Sequence, residues 1–178
     1  IPLANGFLSE MLTPFGWTAF AIGKWHLTPA EDMNLAGNRK WWPLGRGFER
    51  YYGFLYSLMD HWHPELVSDN HAIPTPRRPG YHLTEDLVDQ TIGMIRDQQA
   101  AAPGKPFFAY VAHQAPHDPY HLPREWRNRH VGEYDKGWDA VRQERLKRQI
   151  ELGITPAGPN LAERMWFIPD PVVLAPAR

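Results

Sequence analysis

No cysteine occurs among the 178 residues, which excludes disulfides, thiolate metal sites and a cysteine nucleophile within the chain. Net charge is nearly absent too, since 19 Lys and Arg against 20 Asp and Glu leave a formal −1. That balance gives no support to a nucleic-acid partner or an anionic membrane surface. No apolar run approaches the about 20 residues needed to span a bilayer, and the first residues do not read as a signal peptide. The sequence opens Ile1-Pro2 without a Met, which reads as a processed chain or an interior piece of something longer.

What is present is ordinary for a globular protein with a real core: 43% hydrophobic and 22% charged residues, in a length suited to one domain. Glycine and proline total 14 + 18 = 32 residues, so turns and irregular connections are plentiful. Eight tryptophans point to a core or cleft walled by large aromatics.

Along the chain, Phe7, Leu8, Met11 and Leu12 fall on one face of a short helix that ends at Pro14. Gly16 turns the chain into Trp17-Thr18-Ala19-Phe20-Ala21-Ile22, a buried strand by its aromatic and β-branched content, closed by Gly23. Residues 28–80 carry little regular pattern and read as long loops pinned by aromatics such as Trp41, Trp42, Tyr51 and Tyr52. A helix is predicted from Thr84, as N-cap, to about Gln99, with Leu87, Val88, Thr91, Ile92 and Ile95 as its buried stripe. Phe107 to Ala112 reads as a second buried strand, and a charged helix is predicted from about Gly137 to Leu152. The rhythm of strand, helix and strand is that of an α/β fold.

Two short segments carry the chemistry. Lys24 and His26 lie just past the first strand, and His117 lies just past the second. Open α/β sheets build their sites in the crevice beyond the carboxyl ends of strands. With side chains alternating along extended backbone, Lys24 and His26 share one side while Trp25 turns to the core. Lysine supplies a compact charge for an anionic oxygen, and histidine moves a proton near neutral pH. Taken alone, Lys24 and His26 fit solvated residues at a strand end better than a site, and His117 also fits a surface residue in a proline-rich turn.

Other histidines are less telling. His113, His117 and His121 repeat every four residues as a helical zinc site would, but Pro116, Pro119 and Pro123 exclude the helix. The pair in His61-Trp62-His63 has no evident partner acid, and Asp69-Asn70-His71 reads as a polar turn. The charged run from Arg142 to Arg148 reads as a solvated helix face.

Together the segments resemble the sulfatase family, in particular bacterial arylsulfatases of the alkaline-phosphatase superfamily. The matching stretches are Gly23-Lys24-Trp25-His26-Leu27, the run from Pro43 to Phe54, and Tyr81-His82-Leu83-Thr84-Glu85-Asp86. Lys105-Pro106-Phe107-Phe108 with Ala115-Pro116-His117-Asp118-Pro119, and Gly132 to Trp138, complete the succession. The resemblance covers residues 1–155, the middle portion of that family's N-terminal domain, and leaves 156–178 as a Pro-rich tail. It implies an alkaline-phosphatase-like sandwich, a central mixed β-sheet flanked by helices, incomplete in this chain.

The resemblance further implies hydrolysis of a small-molecule sulfate ester to an alcohol or phenol plus sulfate. Lys24 would contact sulfate, His26 would hold the nucleophile's hydroxyl, and His117 would bind sulfate and protonate the leaving oxygen. The family's nucleophile is a formylglycine made from Cys or Ser in a Cys/Ser-x-Pro-x-Arg motif, beside Ca²⁺ or a similar cation. Ser9, Ser57 and Ser68 do not lie in such a motif. The nucleophile and the metal ligands are therefore expected outside this chain, which alone would be inactive. Two other readings stand beside this one. The parent could be a phosphate or phosphonate ester hydrolase of the same superfamily, or the chain a non-catalytic anion-binding or interaction protein.

Overall fold

The computed structural model describes residues 1–156, 158 and 161. They separate into two compact units, residues 1–122 and the described residues from Pro123 onward. The tail expected over 156–178 falls almost wholly outside the described residues.

The first unit is built on a five-stranded mixed sheet in the order β4-β3-β2-β1-β5. Its strands are β1 (Thr18–Lys24), β2 (Arg50–Phe54), β3 (Leu66–Ser68), β4 (His71–Ile73) and β5 (Phe107–Ala112). The three strands β2, β1 and β5 run parallel, and β3 and β4 continue the sheet antiparallel. Helix α1 (Leu8–Leu12) precedes β1, and helix α2 (Leu83–Ala101) lies between β4 and β5.

Both faces of β1, an interior strand between β2 and β5, are covered, which is why it reads as a continuous apolar run. On one face Phe20 and Ile22 pack with Tyr52, Phe54, Leu83, Leu87 and Met94. On the other, Ala19 and Ala21 pack with Trp25, Trp42, Phe48 and Tyr51. β1 extends two residues beyond the expected end, through Gly23 and Lys24. Gly23 does not stop the strand because both neighbouring backbones approach it closely. A methyl group there would lie 2.1 Å from the Ala112 carbonyl oxygen.

Residues 28–80 are not the long loops the sequence predicts, since they supply three of the five strands. Gly53 reads as a loop residue, yet it pairs with Gly23 in the β1–β2 ladder. A Cβ on Gly53 would fall 2.0 Å from the Gly23 carbonyl oxygen, so glycine is what lets the two strands meet. The turn expected at Asp69-Asn70 is present, as the link of the β3–β4 hairpin. Asp69 also accepts a 2.9 Å bond from the Tyr51 main chain.

The short helix α1 turns the other way from expectation. Ser9 is its fully buried residue, whereas Leu8 and Met11 are exposed. Small groups decide this: the Ser9 hydroxyl donates to the Arg46 carbonyl at 2.6 Å, and Gly47 brings its backbone against Glu10. Arg46, itself buried, pairs with Glu10 at 2.9 Å and covers the Phe7 ring at 3.8 Å.

Helix α2 begins earlier than predicted, with His82 rather than Thr84 as N-cap. Its buried residues are Leu83, Asp86, Leu87 and Met94, while Val88 and Ile92 face outward at about two-fifths exposure, 41% and 42%. Asp86 takes a core position because it accepts the Tyr52 and Tyr81 hydroxyls, at 2.6 and 3.0 Å. Burial, reinforced by that carboxylate, pushes both phenols above their ordinary range. β5 has the expected bounds but not the expected burial, because it stands at the edge of the sheet. Tyr110 and Val111 are exposed there.

The second unit contains α3 (Arg124–Arg127), which the sequence reading missed, and α4 (Trp138–Glu151), which it placed within a residue. Gly137 caps α4, and ion pairs join Lys136 to Glu144 and Arg148 to Glu151, as a solvated helix face requires.

Candidate functional site

Strand direction places the expected residues. β1 and β5 are adjacent and parallel, with Gly23 opposite Ala112, so the segments that follow them leave the sheet at the same edge. Lys24 is the last residue of β1 and is half-buried, paired across to Phe54. Trp25 turns into the core at 4% exposure, as the alternation predicts. Its indole donates to the Trp41 carbonyl at 2.8 Å.

His26 departs from simple alternation. Its backbone adopts φ 51°, a left-handed conformation that non-glycine residues seldom take. Its main-chain N–H donates to the Leu55 carbonyl at 3.1 Å, and its side chain is exposed. The Tyr51 hydroxyl donates to the Gly23 carbonyl at 3.0 Å, fixing the strand just before Lys24. Burial pushes that phenol well above its ordinary value, so it stays a neutral donor.

His117 stands in the loop after β5, between two cis X-Pro bonds, Ala115–Pro116 and Asp118–Pro119. The loop is closed on itself by Gln114, a buried residue that sequence reasoning passed over. The Gln114 carbonyl accepts the His117 main-chain N–H at 2.9 Å. Its side-chain amide donates to the Asp118 carbonyl at 3.2 Å and to the Met59 carbonyl at 2.7 Å. The imidazole of His117 is half-exposed, with Nδ1 2.5 Å from the Asp118 carboxylate. A carboxylate at that distance accepts from the ring and fixes its orientation. A buried glutamine before a Pro-His-x-Pro loop was the available signal, but amide side chains are too common in turns to single one out.

The same loop rests on a histidine cluster. His82 Nδ1 accepts from the Thr84 N–H at 3.3 Å, so the proton sits on Nε2, which donates to the His121 carbonyl at 2.9 Å. His61 is buried at 3% exposure, and its ring lies 5.1 Å from His82 and 5.9 Å from His121. Both His61 ring nitrogens lack a hydrogen-bond partner. Burial, and then the imidazoles of His82 and His121, lower its pKa. The acid that the sequence reading did not find for this segment is Asp60. It receives the Trp62 and His63 N–H groups at 2.7 and 2.9 Å and faces His121 at 3.6 Å. Although burial opposes it, these donors and imidazoles hold the Asp60 carboxyl below its ordinary value.

Lys24, His26 and His117 are thus brought to one sheet edge, while His113, His117 and His121 are not brought together on one ligand. Among the described residues, no group of three or more His, Asp or Glu side chains is arranged to hold a metal ion. The described residues do not form a Ca²⁺ site, and the chain contains no Cys. What this edge offers is one ammonium and two solvent-facing imidazoles, a set suited to holding a tetrahedral oxyanion and moving a proton.

Comparison with known proteins bears on the family and the fold. The chain is 26% identical over 159 residues to an arylsulfatase of Klebsiella aerogenes, covering 83% of this chain and 32% of that protein. It is 26% identical over 164 residues to an uncharacterized sulfatase of Schizosaccharomyces pombe, covering 84% of this chain and 28% of the relative. An N-acetylgalactosamine-6-sulfatase of Canis lupus familiaris is 29% identical over 167 residues, 80% of this chain and 28% of its own. The chain thus spans about a third or less of the length of these relatives. Among solved structures, Ps i-CgsB in complex with k-i-k-neocarrahexaose matches with a TM-score of 0.59 at 22% identity, over 70% of this chain and 30% of that one. That likeness confirms the mixed α/β fold expected from the sequence. The sulfatase family model matches residues 2–161, and the chain belongs to the sulfatase family.

Proposed function

We propose that the chain forms the sulfate-holding and proton-donating wall of a sulfuric ester hydrolase of the arylsulfatase kind. The reaction is R–O–SO₃⁻ + H₂O → R–OH + HSO₄⁻. The observation that carries the reading is the placing of Lys24, His26 and His117 at the carboxyl ends of adjacent parallel strands. In it, the Lys24 ammonium takes a sulfate oxygen and His26 holds the hydroxyl of the attacking group. His117, as imidazolium, gives its Nε2 proton to the ester oxygen as the S–O bond breaks. The attacking group and any cation come from outside the described residues, and no step is assigned to them.

The test is hydrolysis of aryl sulfates by this chain and by a longer polypeptide that joins it to a Cys/Ser-x-Pro-x-Arg segment. The chain alone is expected to be inactive. In the longer form, His117→Ala should cost about 10²- to 10⁴-fold in rate. The loss should grow as the leaving phenol becomes more basic, because only poor leaving groups need the proton. An equal loss for all leaving groups would remove the general-acid role of His117. Preferential turnover of phosphate or phosphonate esters would move the parent to the neighbouring hydrolase class. Anion binding without turnover by the longer form would favour a non-catalytic module.

A further inference from the structure

Three histidines from three segments lace the His117 loop to its surroundings. His61 lies in the connection from β2 to β3, His82 caps α2, and His121 stands four residues after His117. The main chain joins the first two, because the His61 carbonyl accepts the Leu83 N–H at 2.8 Å. His121 is then held from both sides. Its Nδ1 accepts the His61 main-chain N–H at 3.4 Å, and its carbonyl accepts the His82 Nε2–H at 2.9 Å. The Trp62 ring packs against His82 at 4.8 Å.

These bonds are written for neutral rings. His121 Nδ1 accepts only while it carries no proton, and the same holds for His82 Nδ1, which takes the Thr84 N–H at 3.3 Å. A proton on either atom would turn an acceptor into a donor that faces another N–H. His61 is buried, and neither of its ring nitrogens has a partner. A charge on that ring would be both desolvated and unpaired. Burial first, and then the imidazoles of His82 and His121, lower its pKa accordingly.

One charged group offers His121 an alternative. The Asp60 carboxylate faces His121 Nδ1 at 3.6 Å, just beyond hydrogen-bond reach. Once Nδ1 holds a proton, that carboxylate attracts it and the His61 N–H no longer does. The other charges nearby have partners of their own or face solvent. Asp86 accepts the Tyr52 and Tyr81 hydroxyls, and Glu85 is exposed in the first turn of α2. His63 is exposed, 3.8 Å from Asp60. Asp118 pairs with His117, and Arg78 stands 5.7 Å from the Tyr81 ring.

We propose that His61, His82 and His121 form a proton-sensitive clamp, which fixes the His117 loop while all three rings are neutral and frees it when they are protonated. In the released form His121 turns from the His61 main chain to Asp60, and α2 loses its cap. The inference concerns the order of the loop and stands whether or not the chain belongs to a sulfuric ester hydrolase of the arylsulfatase kind. Under that reading the clamp sets an acid limit, because its rings must be neutral while His117 carries a proton.

Hydrogen exchange of the full chain, followed by mass spectrometry from about pH 8 to about pH 5 and corrected for the intrinsic rate, reads the loop and the sheet separately. Protection of the loop amides, including those of His117 and His121, should fall about tenfold across that range, while β1 keeps its protection. His61→Phe with His82→Asn and His121→Asn leaves a ring in the buried position and an acceptor at each of the other two, and none of them titrates. Its loop protection should be the same at both ends of the range. Asp60→Asn keeps an oxygen for the Trp62 and His63 N–H groups but removes the charge, and should move the fall to lower pH. Should the triple variant not fold, His121→Asn alone carries the test and should lessen the fall. A wild-type profile without the fall would overturn the proposal. So would an undiminished fall in the triple variant or in His121→Asn, which would belong to His113, His117 or Asp118 instead, or a fall at unchanged pH in Asp60→Asn.

Discussion

Replacing Gly23 by alanine should separate the two strand ends that carry the candidate site. Gly23 lies near the carboxyl end of β1, between β2 and β5, with φ +96°, and an added Cβ would sit 2.1 Å from the Ala112 carbonyl oxygen and 2.9 Å from its carbon. Contacts below 3.0 Å are not tolerated by a real Cβ, so β1 and β5 must part by at least 3.0 − 2.1, or about 0.9 Å. The obstacle is backbone held in a ladder, which cannot swing aside as a side chain would. Strain at positive φ costs roughly 1–2 kcal/mol, and forcing extra volume into packed structure costs about 1–3 kcal/mol more. Gly23→Ala should therefore lose about 2–5 kcal/mol of unfolding free energy. Gly16→Ala is the matched control: its φ is +81° but nothing lies within 4 Å of the new methyl, so only the roughly 1–2 kcal/mol of backbone strain applies. Urea unfolding gives both values, and amide exchange should show early loss of protection in β5 with α4 unchanged. If the two variants are equally destabilised, the close approach of β1 and β5 at Gly23 is wrong.

Three further outcomes follow from the buried polar groups. The Arg46 hydrogen bond holds the Glu10 carboxyl below its ordinary 4.5 despite opposing burial. That stability is present above the unfolded value and is lost as pH falls through the folded one, so Glu10→Gln should flatten the acid limb of a urea-midpoint profile. His61 has its pKa lowered, first by burial and then by His82 and His121. The neutral ring favours folding above its ordinary 6.5, and this is lost as pH falls below it. His61→Phe should remove that part of the slope of thermal stability against pH. Gln114→Leu would strip the Met59 and Asp118 carbonyls of their donor, costing about 1–3 kcal/mol and raising amide exchange at His117.

The apolar run through Ala19, Phe20, Ala21 and Ile22 made β1 legible, because a strand covered on both faces must be apolar throughout; the run Phe107–Ala112 marked β5 by its composition, although its edge position leaves Tyr110 and Val111 exposed. The basic and imidazole residues just past those runs were legible for the same reason, since they follow a strand end. β2 was not, because Gly53 and its neighbouring glycines carry loop signals in one dimension. Only the pairing with Gly23 shows that glycine is demanded there by a backbone, not by a turn. The burial of Ser9 and Asp86, and the exposure of Leu8, Val88 and Ile92, likewise depend on which face meets the sheet.

The sequence by itself determined the α/β class, the two strand-end segments and the family they resemble, because each rests on local pattern. Only the tertiary structure decided that β1 and β5 are parallel neighbours, which turns two separate motifs into one edge. It also decided that Gln114, His61, His82 and His121 brace the His117 loop. Those relations join residues far apart in the chain, through hydrogen bonds and close packing that no local spacing encodes.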